Sequence, residues 1–370
     1  MRRGLLLVCA NWGSRGGLQN ELHELVTVLA ARQRVIVLTW RPLARPSLVR
    51  EETGVQVATL PCLLPWSRDL LMPAAALNTL VSVGTGALAA VVLRRSWSTA
   101  FAVGLHPEAV VAVLAAGRRR RVVARTWLVG PLGNVHRLQR SPLAPLLRRT
   151  LARVDTIVAE TEEAGRELRS LGLRAERVRV LPCGVDLERF RPRPEGSVQA
   201  RPPTVVFAGR LDLRQKLLDV LVEGWREAQL AGWELVIAGT GRDGNRVRRL
   251  VAGVPGVRLV GWRDPAPLLA GAEAFVLPTT AETSALAMLE GMASGLPGLV
   301  SDLPGFAERS PAAVSLVANE PRAWAQALRE LAASEPAERR RAGRRARTWA
   351  EREASGARLT AAWAELLEKA

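Results

Sequence analysis

Short apolar runs alternate with longer helix-patterned stretches along nearly the whole chain. In the first half the runs Gly4–Ala10, Val35–Trp40, Val55–Leu60, Ala100–Leu105, Val122–Leu128, Thr156–Glu160 and Val178–Pro182 predict strands. Each is continuous in apolar character, as expected of strands buried on both faces of a parallel sheet. The segments Leu18–Arg32, Pro107–Ala116 and Thr161–Leu171 predict the helices between them. A polar stretch rich in Pro and Arg, Arg189–Pro203, interrupts this βαβ rhythm, which then restarts. Thr204–Gly209, Glu234–Gly239, Val257–Gly261, Ala274–Pro278 and Gly298–Ser301 predict a second set of strands, and Ala323–Ala332 and Glu335–Lys369 close the chain with helices.

The pattern predicts an α/β protein with two Rossmann-like, doubly wound domains in series. The expected limits are 1–188 for the first domain, 189–203 for a linker and 204–345 for the second domain. A C-terminal helix, 346–370, is expected to pack back on the first domain. In such folds ligands gather at the carboxyl ends of the strands, here in the crevice expected between the domains. One segment departs from the rhythm: Leu70–Leu93 runs 24 residues without a charge, bounded by Asp69 and Arg94–Arg95. Its Pro73, Asn78, Ser82, Gly84 and Gly86 make it read as a helix buried or dipping at a surface rather than a span. Likewise Arg2–Arg3 with Leu5–Ala10 reads as a first buried strand, not a signal peptide.

A length of 370 residues suits two domains, and 48% hydrophobic with 24% charged residues is an ordinary globular composition. Fifty of the 52 basic residues are arginine, which reads as a coding bias. The two lysines, Lys216 and Lys369, are therefore informative. The net charge is +17, and residues 1–183 carry most of it, with 26 arginines against 12 acids. Such a lobe attracts anions, whether phosphates, nucleic acid or anionic lipid. Cys9, Cys62 and Cys183 have neither disulfide nor zinc spacing, consistent with a reducing compartment.

Candidate chemistry follows the strands. Gly16 and Gly17 open the first helix, where backbone N–H groups can meet an oxyanion. The spacing is not that of a dinucleotide fingerprint, and Leu38–Arg41 offers no acid to hold a nicotinamide ribose. In the second half, Gly209–Arg210 ends a strand and Lys216 follows six residues later, a two-pronged cationic clamp suited to a diphosphate. Gly239 and Gly241 end the next strand and suggest close nucleotide approach. Then Glu282 and Glu290 stand with seven residues between them. Glu282 falls in a loop, where its carboxylate can accept from sugar hydroxyls, and Glu290 falls two turns into a helix, where it can bridge ribose hydroxyls. Ser284 reads as the N-cap of that helix. The backbone N–H groups of Thr283, Ser284, Ala285 and Leu286 point at phosphate.

Taken jointly these residues resemble the family 4 retaining glycosyltransferases of the two-lobed GT-B architecture. The resemblance rests on the Gly16–Gly17 loop, Ala152–Ala159 with Asp155, Val180–Asp186 with Phe190, the Gly209–Arg210 to Lys216 clamp and the Glu282/Glu290 pair. It implies a nucleoside diphosphate sugar bound by the second lobe and an acceptor bound by the first. No metal or other cofactor is implied, with Arg210, Lys216 and Glu282 as the catalytic set. Trp262 and Arg263 are placed near the base. Where many relatives carry a histidine, this chain reads Arg125–Thr126–Trp127, so His106 after the preceding strand is the acceptor-side candidate.

The expected partners are a nucleotide-sugar donor, a glycan or lipid-linked acceptor and an anionic inner-leaflet surface. Nucleic acid is not expected, because the charge stands without a recognition motif. A nucleotide-sugar epimerase or hydrolase of the same architecture is the competing enzyme reading.

Overall fold

The structure, a computed structural model, describes residues 4–13, 17–51, 54–64, 72–126, 133–140, 144–194, 202–282, 284–309 and 313–368. Two compact units emerge: Met1–Pro182 with Thr360–Ala370, and Cys183–Leu359.

The first unit runs β1 (Leu5–Val8), α1 (Gly17–Ala30), β2 (Val35–Pro42), β3 (Ser47–Arg50), β4 (Gln56–Cys62), α2 (Met72–Val92), β5 (Thr99–Ala102), α3 (Glu108–Ala116), β6 (Arg121–Arg125), α4 (Asn134–Gln139), α5 (Ala144–Leu151), β7 (Thr156–Ala159), α6 (Glu162–Ser170) and β8 (Val178–Val180). Its sheet has the order β3-β4-β2-β1-β5-β6-β7-β8 and is parallel except for β3. One face, through Leu6, Val8 and Ile36, is covered by α2, α3, α5 and α6. The opposite face, through Leu5, Leu7, Val37 and Phe101, is covered by Leu22, Leu25, Val26 and Leu29 of α1 and by Trp363, Ala364, Leu366 and Leu367 near the C-terminus.

The second unit runs β9 (Thr204–Ala208), α7 (Leu213–Lys216), α8 (Leu218–Ala228), β10 (Glu234–Ala238), α9 (Gly244–Val251), β11 (Val257–Gly261), α10 (Pro265–Ala270), β12 (Ala274–Leu277), α11 (Leu286–Ala293), β13 (Gly298–Ser301), α12 (Pro304–Arg309), β14 (Val314–Val317), α13 (Pro321–Ala333) and α14 (Pro336–Glu353); α15 (Gly356–Glu368) then carries the chain back into the first unit. The sheet order is β11-β10-β9-β12-β13-β14, all parallel.

The division falls at 182/183 and 359/360 instead of the limits 188 and 345 that composition suggests. Packing explains the shift. Phe190 is buried in the second unit's core, and Arg347 of α14 donates to the carbonyls of Phe190 (2.7 Å) and Leu187 (3.3 Å). Gly184 lies so close to Gly356 that a Cβ there would stand 2.5 Å from the Gly356 Cα. The start of the expected linker, Arg189–Pro194, is thus partly core of the second unit, while 195–201 lie outside the described residues.

In both sheets the strand order reverses beside the first strand of the unit, at β1/β5 and at β9/β12. At such a point the connections leave in opposite directions and open a cleft at the carboxyl ends, where α/β folds bind ligands. The segments after β9 and β12 hold Arg210, Lys216 at the end of α7, and Glu282; the turn after β5 holds His106, and Glu108 opens α3.

Candidate functional site

The β9/β12 switch point joins two loops through side chains. After β9 the chain makes the short helix α7, and Lys216 at its end is buried. The Lys216 Nζ forms an ion pair with the Glu282 Oε1 in the loop after β12. Thr279 Oγ1 donates to the same Glu282 oxygen at 3.1 Å. Gln215 ties the loops a second time: its Nε2 donates to the Ala281 carbonyl (2.9 Å) and its own carbonyl accepts from Thr280 N–H (2.8 Å). Gln215 Oε1 also accepts from an Arg210 guanidinium N–H at 3.1 Å. Arg210 is exposed, so one cation of the expected clamp stands in solvent and the other is held by a carboxylate. The β12 loop is anchored further by Thr279 N–H on Ser301 Oγ (2.7 Å) and by Asn319, which donates to the Thr279 carbonyl (3.1 Å).

Glu290 stands half-buried on α11. Burial pushes its carboxyl up from 4.5 to about 7, with the Arg189 guanidinium pulling it down and the Asp264 carboxylate pushing it up. Arg189 and Asp264 are paired at 2.8 Å. The expected cap of α11 needs correction. Ala285, not Ser284, is the N-cap, in the left-handed region at φ 49° and ψ 50°, and it makes no side-chain cap. Leu286 begins the helix.

The glycines after β10 also have a reason in the packing of their own unit. A Cβ on Gly239 would stand 1.8 Å from the Gly209 carbonyl oxygen, and one on Gly241 would stand 2.3 Å from the Leu211 carbonyl oxygen. The close approach of the β9 loop therefore requires glycine at both positions. Trp262 and Arg263 follow β11; Trp262 is exposed, and an Arg263 guanidinium N–H donates to the Trp262 carbonyl (3.0 Å). Gly17 is the first residue of α1, whereas Gly16 and Thr283 lie outside the described residues.

At the β1/β5 switch point His106 is exposed, and the residue two beyond it is the chemically unusual one. Glu108 is 2% exposed; its Oε1 accepts from Ala10 N–H at 3.4 Å and its Oε2 has no hydrogen-bond partner among the described residues. A Cβ on Gly104 would come within 2.7 Å of that Oε2, so the carboxyl fits only over a glycine. Burial pushes its carboxyl up to about 7, and burial, helped by Glu108, pushes the Cys9 thiol up to about 12. For Glu108 and Glu290 alike, a carboxyl raised in the folded protein contributes stability that is complete below about 4.5 and is lost as the pH rises through about 7.

Sequence reasoning named neither Gln215, nor the Arg189–Asp264 pair, nor the burial of Glu108. A signal for Glu108 was present, since it is the only acid between Asp69 and Asp155.

Two mainly parallel, doubly wound sheets in series define the GT-B class of fold. Sucrose-phosphate synthase from Thermosynechococcus elongatus superposes with a TM-score of 0.77 at 18% identity, covering 99% of this chain and 98% of that one. The Anabaena protein HepE, crystallised with UDP and glucose, superposes with a TM-score of 0.77 at 16% identity over 99% of both chains. The family model described as Glycosyltransferase Family 4 matches residues 15–189, and that for Glycosyl transferases group 1 matches residues 202–334. The chain belongs to the family 4 glycosyltransferases. Among curated relatives, a GDP-mannose-dependent alpha-(1-6)-phosphatidylinositol dimannoside mannosyltransferase of Mycobacterium tuberculosis is 34% identical over 211 residues, 53% of this chain and 54% of that protein. A D-inositol 3-phosphate glycosyltransferase of Nocardia farcinica is 30% identical over 50% of this chain and 46% of that protein. The aligned regions span about half the length of these relatives.

Proposed function

We propose that the chain transfers a sugar from a nucleoside diphosphate to an acceptor hydroxyl with retention at the anomeric carbon, without a required metal. The observation that carries this reading is the Lys216–Glu282 pair at the β9/β12 switch point, tied through Gln215 to Arg210. In the reaction the bond between the anomeric carbon and the diphosphate oxygen breaks, and the acceptor oxygen forms its bond on the same face. The acceptor proton passes to the departing oxygen. Arg210 and Lys216 oppose the charge growing on the diphosphate, with the start of α11, whose N-cap Ala285 has no polar side chain, adding its dipole. Glu282 orients the sugar and Glu290 holds the ribose. The name of the Mycobacterium tuberculosis relative, with GDP-mannose and a phosphatidylinositol dimannoside, supports a donor of this kind and a lipid-linked acceptor, and that of the Nocardia farcinica relative names D-inositol 3-phosphate. The basic surplus of residues 1–183 supports a place of work on the anionic inner leaflet.

A panel of nucleotide sugars tested for thermal stabilisation identifies the donor, because a ligand bound only by the folded state raises apparent stability. Transfer to an acceptor with inverted configuration, or donor turnover that no acceptor accelerates, would overturn the reading. Saturating chelator is expected to leave transfer unchanged; loss of activity restored by magnesium or manganese would remove the role given to the two cations.

Glu290 gives the site a pH dependence. Its ionised form accepts from two vicinal hydroxyls, so donor binding should tighten as the pH rises through about 7. If only the ionised form binds, the apparent affinity falls about tenfold from pH 8 to pH 6. Calorimetric titration of the nucleoside diphosphate into wild type and Glu290→Gln checks this. The variant should bind more weakly at pH 8 and show a flatter profile, which separates the carboxyl from the ionisation of the ligand itself.

A further inference from the structure

Helix α2 is inside out. Its buried positions include Asn78, Ser82, Gly86 and Ala90, four residues apart and small or polar. Asn78 Oδ1 accepts from Leu63 N–H (2.8 Å) and Leu64 N–H (3.0 Å), and its Nδ2 donates to the Leu64 carbonyl (3.1 Å). The outward positions 77, 80, 84, 88 and 91 are Leu, Leu, Gly, Leu and Val, and this spacing of three and four makes one stripe along the helix. Leu77, Leu80 and Leu88 are each more than half exposed. A soluble surface helix has the opposite arrangement. The stripe is not isolated, because α3 and α5 cover the same face of the sheet and expose Leu114 and Leu146.

On α2, α3 and α5 the exposed charge is of one sign, whereas α6, farther along the same face, exposes Glu162. No acid is exposed on α2, α3 or α5, Glu108 being buried. Arg94 and Arg95 follow α2, and Arg118 and Arg119 follow α3, all four exposed. Arg120 joins the two helix ends by donating to the Arg94 carbonyl at 2.7 Å, with its guanidinium over the Trp97 ring. Among the described residues no helix is long and apolar enough to cross a membrane. A helix with one side fixed on a sheet and an apolar outer stripe ending in arginines matches an interface in which acyl chains lie beneath anionic headgroups.

We propose that the outer face of α2, continued by α3 and α5, is the surface by which this chain lies on an anionic phospholipid bilayer, with Leu77, Leu80 and Leu88 inserted and the four arginines at the headgroups. This deepens the reading of an inner-leaflet transferase and rests on it for the identity of the surface.

Flotation of the full chain with vesicles of phosphatidylglycerol and phosphatidylcholine, against phosphatidylcholine alone, tests it. Binding is expected with the anionic vesicles and is expected to fade in high salt. Leu80→Asp/Leu88→Asp should weaken it at least tenfold with unchanged circular dichroism. Gly84→Leu should strengthen it severalfold, since a Cβ there meets nothing within 4 Å. A label on Leu88→Cys reports insertion by a blue shift, the three native thiols being buried. Three results overturn the proposal: no flotation of wild type, equal flotation of the Asp variant, or a wild-type dimer that the Asp variant turns into monomer. Thermal stabilisation by the nucleotide is measured on the same samples. If it persists where flotation fails, the docking face falls alone; if it fails too, the transferase reading falls with it.

Discussion

Lys216→Ala should lower turnover by about 10²–10³, the loss expected when a positioned charge is removed from a developing anion, about 2.7–4 kcal/mol. The structure adds a second consequence. Lys216 and Glu282 keep only 9% and 11% of their side-chain exposure, so the substitution leaves a nearly buried carboxylate with the Thr279 hydroxyl and without its cation. Stability should therefore fall as well, by ~3 kcal/mol, the low end for breaking a buried pair because some solvent reaches it. The two losses are separable. Lys216→Ala/Glu282→Gln removes the stranded charge and should regain most of the stability while turnover stays low. Arg210→Ala should lose turnover with little change in melting temperature, since Arg210 is exposed. Comparing kcat, donor affinity and melting temperature for the three variants decides the matter. If the double variant recovers turnover along with stability, Lys216 acts only as a partner for Glu282 and the clamp assignment is wrong.

That lysine was legible because the chain otherwise writes arginine, and the strands were legible for a similar reason of contrast. A strand buried on both faces is a continuous apolar run, which is how β1, β2, β5, β7, β9, β10 and β12 present themselves. The two strands that escaped notice are edges. β3 is exposed at every position and pairs antiparallel with β4 alone, so nothing demands apolar residues of it. β14 has one fully buried residue in four.

The cross-links of the site were hidden for another reason. Gln215 acts through the Ala281 carbonyl 66 residues away, and a backbone acceptor leaves no mark on composition. Arg189 sat in a stretch whose prolines and arginines read as linker, though Phe190 beside it is core. Gly239 and Gly241 were visible as glycines, but whether a glycine admits a ligand or its own chain is decided only by what stands opposite. For α2, hydropathy gave the helix and its lack of charge. It could not say which side faced the sheet, and that orientation turns an apolar helix into an unpartnered surface.

Arg125 carries the largest expected effect on stability alone. Its side chain is 2% exposed on β6 and donates to Glu160 at 2.6 Å and to Glu21 of α1 at 2.8 Å, with its guanidinium 5.1 Å from the centre of the Trp363 ring. It therefore joins β6, α1, the end of β7 and α15. Arg125→Met removes the cation that pairs with both carboxylates and leaves them, with low exposure, facing a thioether. A loss of about 3–5 kcal/mol is expected, because breaking a buried ionic group strands its partners, whereas replacing all members together is often neutral. At roughly 2–4 °C per kcal/mol for a unit of this size, the melting temperature falls by about 10 °C. Arg125→Met/Glu21→Gln/Glu160→Gln should recover most of that loss. The residue stands where a catalytic role was conceivable from sequence, so the activity of Arg125→Met at low temperature, where it stays folded, is the second measurement. Near-normal turnover with a large drop in melting temperature assigns Arg125 to the framework; a drop in turnover with stability intact would place it at the acceptor.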